Sequence, residues 1–445
     1  MANFDFTYKY AFQSGVAANE TGRPNLSLAT FSADATQPYF FNGKARAPRE
    51  LGLMLHTLSD IVRTHYFKPM PTILDPVLTS HEEVLRLEGF SGCCGVYARI
   101  NLPSESFDSQ HQGRGTTNVD FNQPMRNTLI RLRDGENIDF AVGRNEVVLS
   151  TGNEKVIEKK VKLPLRWIKS FSEVQSYQRR LKLSIEISGA EALRFSRSLP
   201  KSTRPKSASY AVNAGRGLRL SQRPQKGAIK FYGTHRIKAI EPLLPLAKSL
   251  RVWTSSDEGT SAWEVILPSG SFLMVVSPEI FRGFSGEGQV LEELARAPDE
   301  AIIAQVRAQL TWGAHISAGN IAMKTGLSAD VVEDAIAVLS TRGLAGYDAS
   351  AEKYFYRELP FELNKVEAMQ PRLKNARKLV SENGVTKTGK NVFAVKGTGT
   401  THQVKLNDDG TDVQCTCPWF SKNQGLRGPC KHILAAKITD QDKIV

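Results

Sequence analysis

Cysteine is scarce in this chain: five in 445 residues, three of them crowded into the last thirty-one positions. A disulfide framework is therefore not expected. Long apolar runs are missing too. The longest, such as Ser271 to Val276, fall far short of the roughly 20 residues that cross a bilayer, so no membrane segment is expected. The opening Met-Ala-Asn-Phe-Asp-Phe-Thr-Tyr-Lys-Tyr has no basic stretch followed by an apolar one. No export signal is read there, and the expected compartment is the cytoplasm. Paired carboxylates, a Ser/His pair and a metal-hydrolase pattern are also lacking, so the chain is not expected to be an enzyme. Acidic residues vanish over one interval: none lies between Glu191 and Glu241.

What is present fits a globular protein, with 41% apolar and 23% charged residues. A length of 445 residues implies two to four domains. The net charge is +13, and the acid-free interval alone holds twelve cations, from Arg194 to Lys238. They include Arg204, Lys206, Arg216, Arg219, Arg223, Lys226 and Lys230. From Leu199 to Gly227 the interval is rich in Ser, Pro, Gly and Gln, so it reads as a flexible basic linker or insertion. Such a patch suits phosphate backbones or acidic protein surfaces.

The expected fold class is α+β and multidomain. Residues 1–190 read as an N-terminal mixed α/β domain. Leu51, Met54, Leu55, Leu58, Ile61 and Val62 mark one face of a helix over Pro48 to Tyr66, with Pro48 suited to its first turn. Strands or short helices are expected over 126–133, 140–142, 146–150 and 155–161, and helices over 166–181 and 189–199. The adjacent Cys93 and Cys94 read as buried small residues in a tight turn, because neighbouring cysteines bridge only under strain. Residues 191–240 form the basic, partly flexible segment. Residues 241–298 suggest a small β-rich region with strands at 249–254, 262–267 and 271–276.

Residues 299–360 predict helices over 300–311, 317–325 and 329–342, capped by Ser317 and Ser328, then a hairpin of 344–347 with 353–357. That is the winged-helix outline. Asp330, Glu333 and Asp334 at the start of the third helix would repel phosphates, so protein docking is its expected use. Residues 361–445 hold a basic helix over 371–383, with Arg372, Lys374, Arg377 and Lys378, and then a finger. Gly384 to Asn391 nearly matches a phosphate-binding loop, but Asn391 replaces the Ser/Thr that holds magnesium, and ATP binding is rejected.

The finger carries the clearest chemistry. Cys415, Cys417, Cys430 and His432 follow the order C-x-C, twelve residues, C-x-H. A Cys₃His set is a closed tetrahedral shell of the kind structural zinc prefers, with no position left for water. Strands are expected over 391–397, 401–406 and 411–414. Residues two apart on a strand share a face, which aims Cys415 and Cys417 at one ion, and Pro418 then ends the strand. Lys431 to Ile438 reads as a helix, so Cys430 must sit at its non-helical cap with His432 in the first turn. A ββα-like unit around one Zn2+ follows. Lys422, Arg427 and Lys431 add charge beside it.

The stretch Cys415-Thr416-Cys417-Pro418-Trp419-Phe420, with Arg427-Gly428-Pro429-Cys430-Lys431-His432-Ile433-Leu434-Ala435, resembles the SWIM zinc finger. Further strings resemble bacterial SWIM-finger proteins over most of their length. Among them are Phe90-Ser91-Gly92-Cys93-Cys94-Gly95-Val96-Tyr97, Gly115-Thr116-Thr117-Asn118-Val119-Asp120 and Arg282-Gly283-Phe284-Ser285-Gly286-Glu287-Gly288-Gln289. The resemblance implies a partner role beside a MoxR-type AAA+ ATPase and a von Willebrand A protein. Within that system the expected role is an adaptor that docks partners or substrates; the alternative is DNA or RNA binding through the basic 194–238 segment and the finger.

Overall fold

The computed structural model describes residues 6–8, 15–18, 24–28, 39–66, 76–118, 121, 123–135, 138–143, 161–163, 165–200, 207–255, 259–278, 282–286, 288, 290–359, 370–407, 413–425 and 427–441. The strand expected over 146–150, most of that over 155–161, and the cations Arg204 and Lys206 lie outside the described residues.

An eight-stranded antiparallel sheet forms the centre. Its order is Lys182–Ser188, Ser249–Thr254, Ser261–Leu267, Gly270–Val276, Val96–Pro103, Val84–Phe90, Val77–Ser80 and Gly115–Asn118. The boundaries expected at 190 and 240 therefore cut through one sheet, because strands from both sides of them pair edge to edge. Alternation splits its central strands by chemistry. Leu85 and Leu87 are buried on one face, on the side where Val62 and Leu58 of the Pro48–Arg63 helix crowd Gly89. Arg86, Glu88 and Arg99 are buried on the other, beneath a hairpin.

That hairpin, Ala345–Asp348 with Lys353–Tyr356, follows helices Glu300–Ala308, Ala318–Thr325 and Ala329–Thr341. These elements fall where the sequence places them, and Ser317 and Ser328 cap their helices through bonds from Asn320 N and Val331 N. The hairpin region is tied to the sheet by buried charge. Arg357 donates to Glu88, which also accepts from Tyr97. Arg99 donates to the Asp348 carboxylate at 2.8 Å, and the Arg86 guanidinium lies 4.3 Å from the Phe355 ring centre. Burial alone would raise the Asp348 carboxyl, but Arg99, His315 and Arg86 together hold it well below the carboxylate range.

Of the linker or insertion expected, the basic interval is an insertion: where described, it folds between the paired strands Lys182–Ser188 and Ser249–Thr254. Helix Gly189–Ser198 leads to an antiparallel sheet of Ala208–Ala214 flanked by Gly217–Ser221 and Ile229–Tyr232. Ala211, Ile229 and Phe231 are buried in the main core. The interval reads as polar because the apolar residues alternate with outward cations, and few large ones are needed to seat so small a sheet.

A second apolar core crosses the boundary expected at 360. It joins Val290, Leu291 and Leu294 of helix Val290–Ala295, the inner face of Ala329–Thr341, and Leu373, Phe393, Val404, Ile433 and Leu434 of the C-terminal part. The finger and the preceding helices thus share one apolar core. Among the described residues, no helix is long and apolar enough to cross a membrane.

Candidate metal centre

Four antiparallel strands lead to the site: Val385–Gly389, Val392–Lys396, Thr401–Leu406 and Val413–Cys415. The first occupies the near-miss phosphate loop, which is an edge strand here with no following helix. Cys415 ends the last strand, paired with Val404. Cys417 departs from expectation. It lies beyond the strand as the N-cap of a short helix, Pro418–Asn423, with its Sγ accepting from Phe420 N at 3.4 Å. Pro418 stops a strand, as the sequence suggests, but it equally starts a helix, because the first turn needs no donor there.

Cys430 stands where the cap argument puts it, just ahead of helix Lys431–Gln441. Its carbonyl accepts Leu434 N at 3.1 Å and its Sγ accepts Ile433 N at 3.4 Å. His432, in the first turn, turns Nδ1 to within 3.9 Å of the Cys415 Sγ and 4.0 Å of the Cys430 Sγ. The approach to this turn depends on Gly428. At φ +71°, its would-be side chain would collide with the carbonyl of Gly288, so only glycine lets the two backbones meet.

The ligand atoms of Cys415, Cys417, Cys430 and His432 all lie within 4.8 Å of one another, and all four residues are buried. That span suits four donors around one ion, with Zn–S about 2.3 Å and Zn–N about 2.0 Å. The remaining ring nitrogen of His432, Nε2, is buried with no hydrogen-bond partner among the described residues, and the ring packs 4.5 Å from that of His402. The thiols do not ionise alike. Cys430 is drawn down, first by the Cys415 thiol donating to it and then by His432 and the Ile433 amide, against its burial. Cys415 is pushed up, chiefly by that same bond to Cys430, and burial pushes Cys417 up. Three thiols held this close can all be thiolates only if a cation joins them. The residues fit zinc.

The cations proposed from sequence separate into two sets. In the finger set, Arg372 is committed: it donates to the carbonyls of Arg427 and Pro429 at 2.9 and 2.8 Å and lies 4.6 Å from the Trp419 ring centre. Lys378 pairs with Glu382 at 3.7 Å. Lys374, Arg377 and Lys422 are exposed, while Arg427 and Lys431 are half-buried. The other set is exposed on the three-stranded sheet (Arg219 and Lys230) and on its connections (Arg216, Arg223 and Lys226). Cys93 and Cys94 are buried and unbridged, as expected of a tight turn, with Cys94 at φ +57°.

Sequence reading missed the seat of the finger. Lys437 donates to Glu292 at 3.0 Å, and Glu173 on helix Leu165–Arg179 accepts Gly288 N and Val290 N at 2.9 and 3.3 Å. No local signal marks these contacts, since each joins residues more than a hundred positions apart.

A closed, buried Cys₃His cluster between a sheet edge and a helix start marks this region as a zinc finger. Residues 402–441 match the SWIM zinc finger, and the donor set is that of one structural Zn2+. No curated protein matches the chain. Among solved structures, Proliferating Cellular Nuclear Antigen from Entamoeba histolytica is similar at 10% identity over 54% of this chain and 99% of that one. The TM-score of 0.34 is too low to define a shared fold.

Proposed function

We propose that the protein is a zinc-stabilised adaptor that docks protein partners or substrates for an AAA+ ATPase system, and that it acts by presenting surfaces rather than by turnover. The observation that carries this reading is the buried donor set. Four protein ligands complete the shell of one ion, so zinc supplies folding energy to the finger and offers no open position to a substrate. The ion holds the finger against helix Val290–Ala295, and through it the three-helix unit, which is winged-helix-like in the order of its elements.

The surface of that unit supports protein docking. Asp330 and Glu333 are exposed on the third helix, and Met323 on the second is 79% exposed. Phosphates are repelled by the two carboxylates, whereas a protein partner can use both the charge and the apolar side chain. The partners proposed are the MoxR-type ATPase and von Willebrand A protein that the sequence resemblance implies, within the cytoplasm.

The test is co-expression with a MoxR-type ATPase and a von Willebrand A protein, followed by size-exclusion chromatography. The reading predicts a stable complex that Met323→Asp weakens. If the three proteins elute separately at micromolar concentration, the adaptor role is wrong.

A further inference from the structure

We propose that the outward face of the three-stranded sheet Ala208–Ala214, Gly217–Ser221 and Ile229–Tyr232 binds single-stranded nucleic acid. This surface is separate from the finger and from the proposed docking face, so it stands or falls independently of the adaptor reading.

The register places the relevant side chains. Tyr210 lies opposite Ser221 on one neighbour and Lys230 on the other, Val212 opposite Arg219, and Ala208 opposite Tyr232. Directly opposed residues share a face, so the two tyrosines, Arg219 and Lys230 point the same way. The other face sends Ala211, Ile229 and Phe231 into the core. Arg219 and Lys230 are exposed, while Tyr210 and Tyr232 are half-buried, presenting ring surface without being loose. The Lys230 ammonium lies 5.5 Å from the Tyr232 ring centre. Gly259, at φ +66°, backs that ring closely enough that any side chain there would strike it.

The ends of the sheet extend the charge. Arg216 is exposed in the turn at one end, and Arg223 and Lys226 in the connection at the other. Five cations therefore follow strands about 17 Å long, enough for a short run of nucleotides. Among the described residues, none of the five is in an ion pair, and no acidic residue lies between Glu191 and Glu241 in the sequence. The finger cations contrast with this, since Arg372 is spent on backbone carbonyls.

Charge alone would also suit an acidic protein or an anionic membrane. The aromatic rings set among the cations decide for nucleic acid, because every base has a face to stack on them. A single strand is favoured over a duplex because only unpaired bases can turn onto a sheet face.

The experiment is fluorescence anisotropy of the full-length protein with a labelled twelve-residue oligothymidine, the matching duplex, and phosphatidylserine vesicles as a competitor, over a salt series. Binding of the single strand is expected, weakening with salt at a log–log slope of about −0.7 for each phosphate neutralised. The double variant Arg219→Ala/Lys230→Ala should flatten that slope by roughly 1.4. Tyr210→Ala should weaken binding about ten-fold without changing the slope, and Tyr210→Phe should restore it. If Tyr210→Ala lowers the melting temperature, the exposed pair Arg219→Glu/Lys230→Glu decides instead, and unchanged binding overturns the proposal. So does no binding at 50 mM salt, or a duplex or vesicle bound as tightly as the strand with no effect of Tyr210→Ala.

Discussion

Cys430 does two jobs: it donates a sulfur to the cluster and starts the final helix, as Cys417 starts the short helix Pro418–Asn423. Its carbonyl and Sγ both accept amides of that helix, and its thiol is the one held low. Cys430→Ser keeps an acceptor at the cap but exchanges a soft thiolate for a hydroxyl, a poor zinc ligand. Wild-type protein is predicted to carry one zinc per chain by elemental analysis, and Cys430→Ser much less than half. Full zinc in the variant would contradict the assignment. All four ligands were legible in the sequence because their spacing is itself the constraint. The role of Cys417 as a helix cap was not, since Pro418 is compatible with both a strand end and a helix start.

At the scale of elements, helix Leu165–Arg179 meets helix Val290–Ala295 through the Arg179–Glu293 pair and through the buried carboxyl of Glu173. Burial pushes Glu173 up to about 8, against the amides of Val290 and Gly288 and the charge of Arg372. The unfolded carboxyl releases its proton near 4.5. Between about pH 5 and 8 the native state therefore binds more protons than the unfolded state, and stability falls as pH rises through that window. Urea unfolding at several pH values should show this decline in the wild type, with a clearly flatter profile for Glu173→Gln. Identical profiles would mean that Glu173 is ionised in the native state. Elements with ordinary amphipathic periodicity were readable, as helix Pro48–Arg63 and the three helices before the hairpin show. Strands Val84–Phe90 and Val96–Pro103 were not, because their polar positions, Arg86, Glu88 and Arg99, are buried beneath a hairpin some 250 residues away. A sequence cannot announce such partners locally.

In the whole molecule, two apolar cores meet through specific polar contacts: Arg357 with Glu88, Arg99 with Asp348, and Glu173 with the amides at 288 and 290. Breaking a buried ion pair of this kind typically costs about 3–5 kcal/mol, so these contacts hold the helical unit and the central sheet in one arrangement. Domain boundaries were the least legible feature. Composition suggested breaks near 190, 240 and 360, yet strand pairing spans the first two and a common core spans the third. A compositional shift records what faces solvent, whereas a domain boundary depends on which buried faces meet.

The central claim is that zinc holds together a core shared by the finger and the preceding helices. Amide hydrogen exchange on the full-length protein, with and without a zinc chelator, tests it most directly. Removal of the ion is predicted to raise exchange both in 371–441 and in the helices of 290–341, while strands 84–103 and 261–276 keep their protection. Faster exchange confined to 415–432, or none at all, would contradict it.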